Sequence, residues 1–374
     1  MLQESPLTGK TMAVIGGGGG WGAKIARAGS RLGSEVKIIE VDTSNQERDR
    51  TIESADTVFF AAPDYDIPKI LNETRGLLVG RNVLDCATSK IGFEKDLTAL
   101  ADETSVCSTH PMVRSETPLR DQNAIIMPIG NLAQPATEVA EALFNALHMR
   151  LCRFEFSQHV DLAIVQQLPH LIQRVVIDAL GMILNEKGIG LGEIGNVAPA
   201  NFGVTELAAG RVAIQRPDVS AGIISSSLQS PLGQRILEII QESLGTIVEL
   251  SKDREALTEY FAESADQLDP DGSWRKEMDL MTDMHVEARA NFRRCSLKLE
   301  VKEDYPGLLG EISSVFASCN LNMNAIHSHE VEHGDDTLGV RFNIGVDELD
   351  DNWMKLEQEC QKRGWGITRT KTDK

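Results

Sequence analysis

The sequence predicts an α/β protein in three segments, and three observations along the chain predict it. Residues 1–155 alternate short apolar runs with helical stretches, which is typical of a doubly wound, mostly parallel sheet covered on both faces. Residues 156–293 lose the strand pattern and carry apolar residues at helical spacing, so we expect an all-helical segment there. Residues 294–374 return to short strands and helices in the order β-α-β-β-α-β, which predicts a ferredoxin-like sandwich.

Composition and charge restrict the class of protein. The chain has 374 residues, of which 41% are hydrophobic and 25% charged, as in ordinary globular proteins. A net charge of −19 disfavours nucleic acid or an anionic membrane surface as partner. The sequence shows neither a signal peptide nor a membrane-length apolar run, and its six cysteines lack ligand-like spacing. We therefore expect a soluble, cytoplasmic protein with reduced cysteines and no metal site.

The first segment opens with a strand, a glycine-rich turn, a helix and a second strand. The turn covers residues 16–22 and includes Trp21; Gly17, Gly19 and Gly22 fit the pattern G-x-G-x-x-G. Glycines allow a tight turn and close approach of the backbone to a pyrophosphate, while the helix that follows supplies free N–H groups. Because all four elements occur in this order, the stretch predicts a Rossmann-type dinucleotide site.

Glu40 bears on which dinucleotide binds. It ends the second strand about 20 residues beyond the turn, where an acid hydrogen-bonds the ribose 2′-hydroxyl. A carboxylate there repels a 2′-phosphate, and Val41 and Asp42 provide no guanidinium to receive one. The sequence therefore favours NAD over NADP. Arg48 and Arg50 are the nearest basic residues past the strand, and the alternative that they fold back stays open.

Polar residues and prolines follow three of the predicted strands. Pro63, residues 85–90 and His110 each lie just past a strand end, and ligands of such sheets bind outside the carboxyl ends of the strands. We expect all three to share one rim. His110 can accept the proton of a substrate hydroxyl while hydride leaves for a nicotinamide. The alternative is a histidine that is simply hydrogen-bonded at the start of a loop.

Ser89 and Lys90 lie in the second of these groups. Ser89 can hydrogen-bond the same substrate hydroxyl, but from the sequence alone Thr88 or Ser89 is better interpreted as the cap of the next helix. Lys90 is either structural or an anion contact.

Two candidates fall in the helical segment. His170 follows Pro169, which marks a kink or a helix start, and it is either a core residue or a contact for a polar substrate. Arg211 is either a surface residue or a bidentate clamp for a carboxylate.

Taken together, these motifs resemble the prephenate dehydrogenase family, with the arogenate dehydrogenases as close relatives. The resemblance covers nearly the whole chain, and its C-terminal segment looks like an ACT regulatory domain. The motifs that carry it are the glycine turn with Glu40, the Ser89-Lys90 pair, Thr109-His110-Pro111-Met112, Leu168-Pro169-His170 and Gly210-Arg211-Val212-Ala213.

The resemblance implies a chemistry and a role for each motif. The family oxidises the C4 hydroxyl of a cyclohexadienol with NAD(P) and releases carbon dioxide to give an aromatic product. By resemblance, His110 accepts the hydroxyl proton, and Ser89 hydrogen-bonds that hydroxyl and helps to orient His110. His170 contacts the substrate, and Arg211 binds the ring carboxylate. The implied cofactor contacts are Gly17, Gly19, Trp21, Gly22, Glu40 and Pro63.

The chain departs from the family pattern at two places. After His-Pro-Met the family commonly continues Phe-Gly-Pro, whereas this chain continues Val113-Arg114-Ser115-Glu116. Either Arg114 reaches the substrate side chain or the loop is reshaped. After Arg211 the family tends to carry Asp-Pro, whereas Arg216 precedes Pro217 here. The carboxylate clamp is therefore either Arg211 or Arg216.

The third segment resembles an ACT domain at its loop and following strand. By that resemblance an amino-acid effector, with tyrosine as the natural candidate, binds at Asp304, Pro306, Gly307, Asn322 and Asn324. The alternative is a structural or dimerising domain. The whole sequence thus predicts an NAD-dependent prephenate dehydrogenase, dimeric through its helical segment. The alternatives are an arogenate dehydrogenase, a catalytically silent NAD-binding amino-acid sensor and a generic β-hydroxyacid dehydrogenase.

Overall fold

The fold is described from a computed structural model. It describes residues 5–90, 92–197, 202–214, 217–275, 277, 281, 296–332, 338–346 and 352–369. The chain divides into two compact units, one made of Met1–Ala179 and Arg211–Ser243, the other of Leu180–Gly210 and Leu244–Lys374. Within the described ranges, every helix is too short or too polar to span a lipid bilayer.

A seven-stranded sheet forms the centre of the first unit. Its strands are β1 (Thr11–Ile15), β2 (Glu35–Ile39), β3 (Thr57–Phe60), β4 (Asn82–Asp85), β5 (Ser105–Pro111), β6 (Asn123–Ile129) and β7 (Arg150–Arg153). Their order is β2-β1-β3-β4-β5-β6-β7. The first five strands are parallel, β6 is antiparallel to β5, and β7 is parallel to β6.

Helices cover both faces of this sheet. They are α1 (Gly20–Arg31), α2 (Asn45–Glu53), α3 (Ile67–Leu78), α4 (Glu94–Leu100) and α5 (Gln134–Ala146). Alternate residues of the strands divide between two cores: in β1, Ala13 and Ile15 face the core with α2, α3 and α4, whereas Met12 and Val14 face the core with α1 and α5. Burial on both faces explains why the inner strands β1 and β3 are nearly continuous apolar runs. The predicted doubly wound, Rossmann-type sheet is confirmed.

The strand order reverses at β1, which lies between β2 and β3. In an open α/β sheet such a point creates a crevice at the carboxyl ends of the strands. The glycine turn leaves β1 at this place and leads into α1.

One strand boundary differs from the prediction. His110 was expected just past the strand, but β5 runs to Pro111 because it pairs with β6, with His110 opposite Ile125. Met112 N–H also donates to Asn123 O over 2.9 Å. His110 is therefore fixed by a strand ladder on the β6 side.

The segment after β7 is helical, as the sequence predicts. Its helices are α6 (Phe156–Lys187), α7 (Leu191–Val197), α8 (Phe202–Ile214), α9 (Pro217–Leu228), α10 (Pro231–Leu250) and α11 (Arg254–Leu268). The sequence carries apolar residues at helical spacing over residues 231–261, and the structure divides this stretch between α10 and α11. Asp253 caps α11 by accepting N–H bonds from Glu255 (3.0 Å) and Ala256 (3.1 Å). The sequence also predicts a charged helix that follows residues 269–273 and runs to about Arg294, and most of this stretch lies outside the described residues.

The C-terminal part has the βαββαβ order that the sequence predicts. It comprises β8 (Ser296–Val301), α12 (Leu308–Ser318), β9 (Met323–Glu332), β10 (Leu338–Val346), α13 (Trp353–Lys362) and β11 (Gly366–Arg369). The strands form an antiparallel sheet in the order β11-β8-β10-β9. Leu299, Phe316, Ile344 and Leu356 belong to the core between this sheet and its two helices. This is a ferredoxin-like sandwich.

Candidate active site

The carboxyl ends of four neighbouring strands are joined by hydrogen bonds at one rim of the sheet. The bonds run from Ala61 N–H to Ile15 O (2.8 Å), from Cys86 N–H to Phe60 O (3.1 Å) and from the Thr109 hydroxyl to Asp85 O (2.5 Å). They align the ends of β1, β3, β4 and β5. Pro63, the loop 85–90 and His110 therefore lie along one rim, as the sequence predicts.

The glycine turn at this rim is too tight for side chains at two positions. Gly16 has φ +81°, and a β-carbon on it would come within 2.9 Å of Ala62 N. A β-carbon on Gly22 would lie 2.0 Å from Gly16 O, so α1 packs directly on the turn. A β-carbon on Gly19, by contrast, would meet open space. Backbone packing therefore requires glycine at 16 and 22 but does not require it at 19.

Glu40 lies over the same turn. Its carboxylate accepts a hydrogen bond from Gly18 N–H, and its own N–H donates to Thr43 Oγ1 over 2.9 Å. A β-carbon on Gly17 would lie 3.0 Å from Ile38, on the same strand that leads to Glu40. The acid at the end of β2 is thus held beside the backbone N–H groups of the turn.

Trp21 and Pro63 have different surroundings. The Trp21 ring packs edge-on against Phe144 of α5, with centroids 6.4 Å apart, and it borders the core on that face. Pro63 is exposed after β3, where its carbonyl oxygen accepts N–H bonds from Asp66 (2.9 Å) and Ile67 (3.3 Å). Pro63 is therefore exposed beyond the end of β3, whereas the Trp21 ring packs against the core.

Lys90 is fully buried at the rim and links β4 to β5. Its side chain is 0% exposed, and its ammonium group donates to the Asp85 carboxylate, to Ala87 O (2.5 Å) and to Thr109 O (2.9 Å). All three ammonium hydrogens are thereby used. Lys90 is structural in this arrangement, since a fully bonded and buried ammonium has no donor left for an anion.

Ser89 is held by an acid that sequence reasoning missed. The carboxylate of Asp64, just past β3, accepts N–H bonds from Thr88 (3.1 Å) and Ser89 (2.9 Å). Burial raises the pKa of Asp64 despite these donors. The Ser89 hydroxyl is buried and has no partner among the described residues. The interpretation of Thr88 or Ser89 as a helix cap is wrong, because α4 begins only after Phe93.

His110 is paired with a second histidine, which the sequence analysis did not single out. Nδ1 of His110 lies 3.0 Å from Nε2 of His159, in the first turns of α6, and the rings are nearly perpendicular at 87°. His110 is 7% exposed and His159 is 0% exposed. In the sequence, His159 lies near the start of the helical segment predicted over residues 156–293. Its contact with His110 arises only from tertiary packing and could not be predicted from that position.

Both imidazoles are held in the neutral state. Burial, the Lys90 ammonium and His159 lower the pKa of His110 to about 3. Burial and the same ammonium lower the pKa of His159 to about 4. A neutral imidazole that carries its proton at Nδ1 can accept another at Nε2, so in that tautomer His110 can act as a general base. Within the described ranges, no group of three or more His, Cys, Asp or Glu is arranged to hold a metal ion.

The remaining candidates of the first unit are only partly described. His170 lies in α6, which runs through Pro169, and Arg211 lies in α8. The side chains of both lie outside the described part of the structure, as does the whole of Arg216. Arg114 is exposed and forms an ion pair with Glu116 at 3.6 Å.

The residues expected to bind an effector lie in the second unit. Asp304, Pro306, Gly307 and Asn322 are exposed, and Asn324 is half-buried in β9. Gly307 has φ +95° and begins α12 without a side-chain cap. The loop and the strand that are expected to bind the effector are therefore both present, with the loop before α12 and the strand after it in the sequence.

Comparison with known proteins identifies the fold. No family model matches the chain, and neither does any curated protein. Among solved structures, prephenate dehydrogenase from A. aeolicus in complex with hydroxyphenyl propionate and NAD+ is similar with a TM-score of 0.53 at 18% identity, covering 69% of this chain and 96% of that one. The chain has the fold of these dehydrogenases.

Two further structures are similar to the same extent. Synechocystis arogenate dehydrogenase has a TM-score of 0.50 at 15% identity, over 70% of this chain and 99% of that one. A putative prephenate dehydrogenase from Corynebacterium glutamicum has a TM-score of 0.52 at 13% identity, over 75% of this chain and 97% of that one. Identities this low establish a common fold and leave the reaction to be argued from the site.

Proposed function

We propose that this protein is an NAD-dependent dehydrogenase that oxidises and decarboxylates prephenate to 4-hydroxyphenylpyruvate in tyrosine biosynthesis. The observation that carries the proposal is a neutral, nearly buried His110 at the carboxyl end of β5, on the same rim as a glycine turn with an acid at the end of the next strand. The similarity in fold to prephenate and arogenate dehydrogenases supports the same reaction class.

The rim fits a dinucleotide. The turn lies so close to its neighbours that side chains at positions 16 and 22 would fill it, and Glu40 already accepts a hydrogen bond from a turn N–H. The residues that would hold NAD are Gly17, Gly19, Trp21, Gly22, Glu40 and Pro63. When bound, NAD would supply the acceptor for the hydride. The Glu40 carboxylate disfavours a 2′-phosphate by charge repulsion, which is why we propose NAD rather than NADP.

His110 and Ser89 would manage the substrate hydroxyl. His110 accepts the hydroxyl proton while the hydrogen on the same carbon leaves as hydride and a carbonyl forms. Ser89 has a buried hydroxyl that no described residue engages, so it is available to hydrogen-bond the substrate oxygen. Loss of the ring carboxylate as carbon dioxide then yields the aromatic ring. We assign the carboxylate contact to Arg211 or Arg216, and further substrate contacts to His170 and Arg114.

The substrate itself would strengthen the base. The low pKa of His110 arises from burial and from the positive charge of Lys90. A substrate carboxylate next to the ring has the opposite effect, because a nearby negative charge favours imidazolium. An anionic substrate is therefore suited to this histidine.

The other segments would serve assembly and regulation. Large apolar side chains of α6 and α10 are exposed and would be covered by a second copy; they include Val175, Val176, Met182, Ile183, Leu244 and Val248. We propose that residues 156–293 serve substrate binding and homodimer formation, while residues 1–155 bind NAD. We further propose that residues 294–374 form an ACT-like domain that binds tyrosine at Asp304, Pro306, Gly307, Asn322 and Asn324 as a feedback inhibitor.

The His110→Asn variant tests the proposal. Asparagine keeps a polar side chain at the rim but cannot accept the hydroxyl proton, so turnover of prephenate should fall by about 100-fold or more. The affinity for NAD, measured by titration without substrate, should stay unchanged because the glycine turn is untouched. Wild-type turnover in the variant would remove His110 from the reaction.

A further inference from the structure

We propose that His159 is a positioning residue that accepts a hydrogen bond from Nδ1–H of His110 and thereby leaves Nε2 of His110 free to take the substrate proton. The inference rests on the proposed function, in which His110 is the base. It adds a positioning residue from α6 to a base that lies at the carboxyl end of β5.

The geometry supports one hydrogen bond between the two rings. Nδ1 of His110 and Nε2 of His159 are 3.0 Å apart, an ordinary distance for a hydrogen bond between nitrogens, and the rings cross at 87°. Water has little access to compete for either nitrogen, since His159 is fully buried and His110 is 7% exposed. Both rings are neutral, so one proton occupies the contact.

Only one placement of that proton makes His110 a base. If Nδ1 of His110 carries it, Nε2 of His110 has a lone pair and can receive the substrate proton. His159 then accepts at Nε2 and carries its own proton at Nδ1, which is buried without a hydrogen-bond partner among the described residues. If Nε2 of His159 carries it instead, His110 must hold its proton at Nε2, and that nitrogen can only donate. The function of His110 thus fixes the tautomer of both rings.

The fold holds His159 in place for this role. The backbone N–H of His159 donates to Glu155 O over 3.0 Å as α6 begins, and Phe156 and Ile164 on the same helix are buried. On the other side, His110 is held by the ladder with β6, and Lys90 bonds to the carbonyl oxygen of Thr109, the residue before it. The backbone at each histidine is therefore fixed by a separate element, and we infer that the hydrogen bond between the rings sets the orientation of His110.

A matched pair of substitutions tests the role. In His159→Gln the side-chain amide can reach the position of Nε2 and accept from His110, whereas in His159→Asn the shorter amide reaches only the position of Nδ1. With prephenate and NAD, we expect kcat of the Gln variant to stay within about threefold of wild type and kcat of the Asn variant to fall by about tenfold or more, with KM little changed in both. Equal kcat in the two variants would overturn the proposal.

The tautomer itself provides a second readout that needs no substrate. Ring-nitrogen NMR of protein with ¹⁵N-labelled histidine distinguishes a protonated from an unprotonated Nε2, and the His110→Asn variant assigns the His110 signals. We expect His110 of the wild type to be protonated at Nδ1, and the Asn variant at position 159 to shift the population toward Nε2–H. A wild-type His110 protonated at Nε2, or an unchanged tautomer in that variant, would overturn the proposal.

The two readouts separate the possible failures. A wild-type protein that binds NAD but turns over neither prephenate nor arogenate would contradict the proposed function, and the NMR experiment would still decide the tautomer. An active wild type with the wrong tautomer would contradict the role of His159 alone.

Discussion

The ammonium group of Lys90 donates a 2.9 Å hydrogen bond to the carbonyl oxygen of Thr109, the residue before His110. The same group pairs with the buried carboxylate of Asp85 at the end of the neighbouring strand. A buried ion pair therefore sets the position of the strand end that presents the proposed base. Burial and the positive charge of Lys90 together lower the pKa of His110 and of His159.

Replacing Lys90 should destabilise the protein strongly. In Lys90→Met the Asp85 carboxylate would remain buried without its counter-charge, which typically costs about 3–5 kcal/mol in the free energy of unfolding. Urea unfolding of the purified variant measures this. Lys10→Met is the matched control, since Lys10 and Asp56 are 3.4 Å apart and 55% and 44% exposed. That change should cost less than about 1 kcal/mol. Similar losses in both variants would contradict the structural role of Lys90.

Two glycines of the turn should respond differently to alanine. Gly22→Ala places a methyl group 2.0 Å from Gly16 O, so it should lower both thermal stability and NAD affinity. Gly19→Ala meets open space and should leave stability unchanged, yet weaken NAD binding because the methyl group lies where the pyrophosphate approaches. Thermal melts and NAD titrations of the two variants measure this. Unchanged NAD affinity in Gly19→Ala would contradict the proposed position of the cofactor.

Glu40 should control the choice of cofactor. In Glu40→Gln the hydrogen-bonding capacity stays but the negative charge is lost, so the ratio of NADP to NAD affinity should rise by about tenfold, or roughly 1.4 kcal/mol. Equilibrium titration with each nucleotide measures the ratio. Glu47→Gln, at an exposed position in the first turn of α2, is the control and should leave the ratio unchanged. An unaltered ratio in Glu40→Gln would show that Glu40 does not select the cofactor.

The histidine pair should make the protein less stable in mild acid. The folded-state pKa values of about 3 and about 4 lie below the ordinary value of 6.5, so the unfolded chain binds protons first as the pH falls. The stabilisation of the folded state by the neutral histidines is fully present above pH 6.5. Below that pH, the free energy of unfolding falls by about 1.4 kcal/mol per pH unit for each histidine until its folded-state pKa is reached.

Denaturant unfolding between pH 7 and pH 4.5 measures this loss. The double variant His110→Asn/His159→Asn removes both titrating groups and should show a shallower decline than the wild type. Equal slopes in the two proteins would mean that the pair titrates normally in the folded state.

Local patterns account for most of the fold that the sequence predicted. The strands are short apolar runs because helices cover both faces of the sheet, and the turn between β1 and α1 is recognisable because packing demands glycine at 16 and 22. The break between α10 and α11 is not visible in the apolar pattern, which continues on both sides of it, although Asp253 is a good helix cap.

The site was less predictable because it depends on contacts between distant segments. His110 was recognised from its position near a strand end, but its partner His159 lies 49 residues further on in a different element. The Asp64 carboxylate accepts a hydrogen bond from the backbone N–H of Ser89, 25 residues further along the chain, and no local sequence pattern predicts that bond. Ser89 itself was better interpreted as a cap from its sequence, and only the late start of α4 shows otherwise.

The most direct test of the account is the rate of NADH formation, followed by absorbance, with prephenate and with arogenate as separate substrates and with NAD and NADP as separate cofactors. The account predicts turnover of prephenate with NAD, and inhibition of it by added tyrosine. Turnover of arogenate alone would keep the site chemistry but change the substrate. NAD binding without turnover of either compound would contradict the central claim and favour a silent NAD-binding sensor.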